Sequence, residues 1–255
     1  MKRIFLWFIP VVAVVGPVAL YFWVMGERPQ PQAPSAPAPA EQPAIRYPIE
    51  GVGPPAQALP ALDESDGAMV DALAALFGPR LEKFFNLQDI VRRVVATVDN
   101  LPRENVSLRL MPVKAVPGTP VTAGTGESLA LSPENAARYR PYVRLAEAVP
   151  TEALVATYTR FYPVFQEQYE NLGYPDRYFN DRVVEVIDHL LEVPDVHGPV
   201  LLNQPRVLYE FADPELEGLS AGHKILVRMG RENRVKVKAK LQEIRGALVS
   251  KATKG

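Results

Sequence analysis

The chain has no cysteine among its 255 residues. Disulfides, thiolate catalysis and cysteine-based metal sites are therefore excluded, and an oxidising compartment carries no penalty. Histidine is scarce: His189, His197 and His223 are all there is. No second histidine stands four residues from another, so the helical zincin pattern is missing. No Gly-x-Ser-x-Gly elbow occurs, and no EF-hand spacing organises the carboxylates. Net charge is only −1, which gives no overall attraction to nucleic acid. No cofactor and no metal is expected.

Charge is also absent from one long stretch. Residues Ile4 to Met25 contain no charged side chain, and Lys2 and Arg3 precede them. At ~1.5 Å per residue, about twenty apolar residues cross the ~30 Å hydrocarbon layer. Pro10, Gly16 and Pro17 are tolerated in such a helix, and Trp7, Tyr21, Phe22 and Trp23 suit its interfaces. A cleaved export signal would have a shorter apolar core and a small-x-small end. Tyr21-Phe22-Trp23-Val24-Met25 is bulky instead, so residues 1–26 read as a cytoplasmic start and an uncleaved anchor. Lys2 and Arg3 place the N-terminus in the cytoplasm by the positive-inside rule. In a bacterial cell the remainder would be periplasmic, with the bilayer as the partner of residues 4–25.

Proline is abundant where charge is not. Residues 27–60 include Pro29-Gln30-Pro31-Gln32-Ala33-Pro34 and Ala36-Pro37-Ala38-Pro39. Dense proline withholds donors and favours an extended polyproline conformation. This segment reads as a linker. Residues 61–250 suffice for one core, and residues 251–255 read as a disordered tail.

The expected class is mainly α: one N-terminal transmembrane helix, a Pro-rich linker, and a compact helical domain with minor β. Ser65 is placed to cap a helix over Asp66–Phe77, ended by Gly78-Pro79. Leu87–Asn100 carries valines at three-four spacing. Ser132-Pro133-Glu134 and Pro150-Thr151-Glu152 are helix starts. Thr151–Asn171 reads as one helix that Pro163 kinks. Asp176 is a candidate cap for Arg177–Glu192. Asp213-Pro214 and Ser220 open two short helices, and Arg231–Val249 reads as the last, striped by Val237, Leu241, Ile244 and Leu248. Asn105–Leu131 predicts a long loop with a small hairpin, and Val207-Leu208-Tyr209 a short strand.

Several segments resemble a bacterial membrane-anchored family known only as domain of unknown function 3014. They are Arg92 to Pro102, Ser132-Pro133-Glu134-Asn135, Gly173-Tyr174-Pro175-Asp176, Tyr178-Phe179-Asn180-Asp181-Arg182, Phe211-Ala212-Asp213-Pro214, Ser220-Ala221-Gly222 and Met229-Gly230. The resemblance covers nearly all of the globular part. It implies no reaction and no site residues.

Chemistry-bearing candidates concentrate between residues 174 and 192. Glu185 and His189 share a helix face at i, i+4, the spacing of two metal ligands. Asp176, Asp181, Glu185, Asp188 and Glu192 lie in one segment, and paired carboxylates are the tools of glycosidases. Asp181, Glu185 and His189 would be the catalytic set of an envelope hydrolase acting on glycan or peptidoglycan. Arg177 and Arg182 interrupt the carboxylates, as on a solvated face. Tyr174, Asp176 and Tyr178 form the candidate binding surface, a turn displaying aromatics. From Lys224 onward the charge balance is +8, against −9 before it, and the Val237–Leu248 stripe argues that this basic helix docks on its own acidic body. The favoured function is a non-enzymatic interaction or scaffolding module that contacts an envelope protein or the cell-wall polymer.

Overall fold

The computed structural model describes residues 44–49 and 61–252. The proposed span 4–25 and most of the linker lie outside the described residues. Among the described residues, no helix is long and apolar enough to cross a membrane.

The domain is mainly helical. Its helices are α1 (Ser65–Phe77), α2 (Leu81–Phe84), α3 (Ile90–Asn100), α4 (Arg140–Ala148), α5 (Thr151–Arg160), α6 (Tyr162–Asn171), α7 (Phe179–Leu191), α8 (Pro214–Glu217), α9 (Ala221–Arg228) and α10 (Arg231–Ala252). The β structure is two antiparallel pairs of two residues per strand. β1 (Thr122–Ala123) pairs with β2 (Ala130–Leu131), and β3 (Leu202–Asn203) with β4 (Glu210–Phe211). The long helix α10 lies against α4, α5 and α7, while α3 packs on α6.

Several boundaries depart from the sequence expectation for local reasons. Ser65 does not cap α1; its hydroxyl donates to Leu62 O at 2.7 Å, closing a preceding 3-10 turn. α3 starts at Ile90, because the Asp66 carboxylate accepts from the amides of Asp89 (2.6 Å) and Ile90 (3.0 Å). Asp89 turns there through φ 52°, a left-handed conformation that Asp tolerates better than most residues. Pro163 does more than kink. It lacks an amide donor and stands in the first turn of α6, so the chain breaks at Phe161 into two helices. Asp176 is exposed and does not cap α7, which begins at Phe179. Its first amides bond to side chains of α6: Phe179 N–H to Gln166 Oε1 (2.8 Å) and Asn180 N–H to Tyr162 Oη (3.4 Å). Val207 and Leu208 are not in a strand. They sit in the bend between β3 and β4, exposed at 86% and 76%.

Other starts stand where the pattern puts them. Ser132, Asp213 and Ser220 each accept a backbone N–H at the head of the following helix. The basic α10 docks on acidic partners: Arg245 pairs with Asp188, and Arg234 Nη2 lies 2.6 Å from Asp195 Oδ1.

Helices α1, α3, α5, α6, α7 and α10 leave an apolar chamber of about 270 Å³, partly open to the surface.

Candidate functional site

The sequence candidates of residues 174–192 separate into three groups in space. The first centres on Asp99, at the C-terminal end of α3. Its carboxylate is buried at 3% exposure. A negative charge is disfavoured at a helix C-terminus, and burial makes it costly unless paired. Arg182 Nε lies 3.2 Å from Asp99 Oδ1, and Arg182 Nη2 donates to the Asp99 backbone carbonyl at 2.9 Å. Arg103 Nη2 lies 2.6 Å from Asp99 Oδ2. Tyr174 Oη completes the group, 3.3 Å from Asp99 Oδ2 and 3.0 Å from Arg103 Nη2. The adjacent Asp99 carboxylate holds the Arg103 guanidinium above its ordinary pKa. Tyr174 is therefore not an open aromatic platform. Its ring stacks on buried Tyr169 with centroids 4.7 Å apart, and burial pushes the Tyr169 phenol up to about 12.

The second group is built on the start of α7. Residues 44–49 run along it as a strap that bends at Arg46 and Tyr47. Arg46 and Tyr47 donate their amides to Asp181, at 2.9 Å to Oδ2 and 2.7 Å to Oδ1. Asn180 Nδ2 donates to the Tyr47 carbonyl at 2.9 Å, and Ile49 N–H to Tyr178 Oη at 2.7 Å. Asn180 is fully buried and is itself held by Tyr158 Oη at 3.2 Å. Three consecutive-turn residues thus grip a peptide backbone, with the strap's amides and carbonyl satisfied. Beside the strap, Arg46, Arg177, Tyr178 and Glu185 border a recess of about 230 Å³. Asp176 stays exposed on the neighbouring turn.

The third group joins α7 to α9. His189 Nε2 lies 2.8 Å from Ser220 Oγ, and the rings of His189 and His223 stack with centroids 4.2 Å apart. His223 Nε2 is 2.6 Å from the His189 carbonyl, which can only accept, so that nitrogen carries a proton. Ser220 Oγ accepts from His223 N–H, leaving its own proton for a neutral His189. This is nucleophile-base geometry, but the amides that an acyl-transfer oxyanion needs are occupied. Ala221 N–H donates to Arg103 O (2.7 Å) and Gly222 N–H to Leu101 O (2.9 Å). Glycine is required at 222, since a Cβ would collide with Leu190 and lie 3.2 Å from Leu101 O. Burial, then the neighbouring His223, lowers the pKa of His189.

The hydrolase set does not assemble. Asp181 is committed to the strap, Glu185 Oε1 pairs with Arg182 Nη1 at 2.8 Å, and His189 belongs to the joint with α9. Among the described residues, no three His, Asp or Glu side chains gather as a metal site. Asp99 and Asn180, which dominate the polar interior, were not candidates from sequence; their signal was membership of the quoted motif segments. A family model described as a protein of unknown function, DUF3014, matches residues 90–245. No curated protein and no solved structure matches the chain.

Two outcomes are expected. Asp181→Ala removes two charged-group hydrogen bonds, each worth about 1.5–3 kcal/mol. Opening of the strap should become roughly 100–10,000-fold more frequent, and trypsin should cut the Arg46–Tyr47 bond correspondingly faster; equal rates would refute the clamp. For His189, the folded pKa lies below the free imidazole value of ~6.5, so the unfolded chain binds more protons on acidification and stability falls as pH drops from about 7 through that range. The depressed carboxylates Asp195, Glu217 and Glu243 act only at lower pH. Denaturation midpoints of His189→Gln should fall less steeply between pH 7 and 5 than those of the parent, and parallel slopes would contradict the assignment.

Proposed function

Because the chain belongs to the DUF3014 family, which brings no reaction with it, its own geometry has to supply the reading, and we propose a membrane-anchored, non-enzymatic interaction module of the cell envelope. Residues 4–25 hold it on the inner membrane as a single span, N-terminus in the cytoplasm. The domain works in the periplasm and recognises an extended peptide segment of an envelope protein.

The observation that carries this reading is the strap. Asp181, Asn180 and Tyr178 bind residues 46–49 through the backbone. Main-chain hydrogen bonds supply affinity for a peptide segment of any sequence, while side-chain recesses select among sequences. A polysaccharide offers no matching alternation of amide donors and carbonyl acceptors, so a protein segment is the better fit than the wall polymer. The resident occupant is the chain's own tether. A partner segment that replaces it frees residues 44–49, and with them extends the reach of the domain from the bilayer. With the strap docked, residues 27–43 can span at most about 60 Å by covalent geometry; release lengthens that limit.

The test is a titration of the detergent-solubilised full chain with a fluorescent peptide of sequence Ala-Ile-Arg-Tyr-Pro-Ile. Replacing Arg46-Tyr47-Pro48 by Gly-Ser-Gly weakens the resident strap, so that variant should bind the peptide at least tenfold tighter than the parent. Adding Asp181→Ala should abolish the gain. Absence of binding to the Gly-Ser-Gly variant, or binding unaffected by Asp181→Ala, would contradict the reading.

A further inference from the structure

The apolar chamber lies beneath the strap grip and shares only the ring of Tyr158 with its hydrogen bonds. Its walls come from six helices, with Met69, Leu73, Val94, Val98, Leu154 and Ile244 among the lining residues. Protein interiors are normally close-packed, and few voids exceed a water molecule. This one holds about 270 Å³, and a dry apolar cavity of about 150 Å³ already admits benzene. Its polar content is low: the hydroxyl of Thr157 is spent on the Ala153 carbonyl at 3.0 Å, and no charged side chain lines the space. Water would find few partners there. A guest with a buried charge or several polar atoms would go unsatisfied.

We infer that the chamber binds one unbranched acyl chain, with its polar head left outside. A flexible aliphatic chain fits an irregular space walled by branched aliphatic and aromatic side chains. The open side lets the head remain in water, which suits a chamber that has apolar walls and no internal partner for a carboxylate or a phosphate. α1 forms one wall and is apolar around most of its circumference: Ala68, Met69, Val70, Ala72, Leu73, Ala74, Ala75, Leu76 and Phe77 fall within it. Of these only Met69 is fully buried. Such a helix gains apolar contact when the space behind it fills. The chain is either a fatty acid or one tail of a phospholipid. The inference leans on the anchored reading only for the supply of lipid.

The experiment uses the full chain in bacterial cells fed a straight-chain fatty acid that carries a mid-chain diazirine. After irradiation the protein is purified, digested and mapped by mass spectrometry. Adducts are expected on the peptides holding residues 65–77 and 91–98. Adduct mass separates a free fatty acid from an intact phospholipid. Filling the chamber with Val94→Phe should reduce these adducts at least tenfold, and the milder Val94→Leu at least twofold, in protein whose thermal unfolding remains cooperative. If Val94→Phe does not fold, Val94→Leu decides. No adducts on those peptides, or adducts undiminished in the folded variants, would overturn the inference. Adducts on residues 4–25 report the anchor separately: chamber adducts without them would leave this inference standing and remove the anchored reading.

Discussion

A buried carboxylate at the end of a helix is the constraint around which this domain is arranged. Asp99 lies where the α3 dipole is negative and where solvent is nearly absent. The site is tolerable only because Arg182 reaches it from α7, Arg103 folds back one turn, and Tyr174 adds a hydroxyl. Arg182 also binds the Asp99 carbonyl, so one guanidinium neutralises the charge and satisfies a helix-end acceptor. The next free carbonyls, of Leu101 and Arg103, take the first amides of α9. The end of α3 thereby fixes three separate pieces of chain: the 174 turn, α7 and α9.

The strap follows from that arrangement. Asp181 and Arg182 are adjacent, yet they point to different partners. Arg182 turns inward to Asp99, and this orients Asp181 toward the amides of residues 46 and 47. Asn180, buried between them and the tyrosines, accepts from Tyr158 and donates to Tyr47. The Tyr178-to-Arg182 run therefore holds α7 in place with one side chain and grips a peptide with the others. The aromatic packing beneath it, Tyr158, Tyr162, Phe165, Tyr169 and Phe179, consists of edge and offset contacts between 5.2 and 6.5 Å, the distances at which such rings attract.

Much of the helical framework was legible in the sequence, because its signals are local. Ser132, Asp213 and Ser220 cap where their short polar side chains suggest, and Gly230 ends α9 with φ 83°. The basic C-terminal helix docks as its apolar stripe requires. What failed was long-range. Ser65 and Asp176 look like caps in isolation, but Ser65 donates back to Leu62 O, and Gln166 of α6 takes the first amide of α7. Tyr174 looks like a displayed aromatic, and only the fold shows it lying on Tyr169. Asp99 gives no local sign of burial: its partner Arg182 is 83 residues away. The docking of residues 44–49 was hidden too, since a Pro-rich run carries no pattern that names its contact.

The central claim is that Asp99 and Arg182 work as one unit. A double-mutant cycle with Asp99→Asn and Arg182→Met, read by chemical denaturation of the full chain, tests it most directly. Each single change leaves a buried group without its partner and should cost about 3–5 kcal/mol. The double variant should cost at least about 1 kcal/mol less than the two added together. Strictly additive costs, or singles that unfold like the parent, would contradict the account.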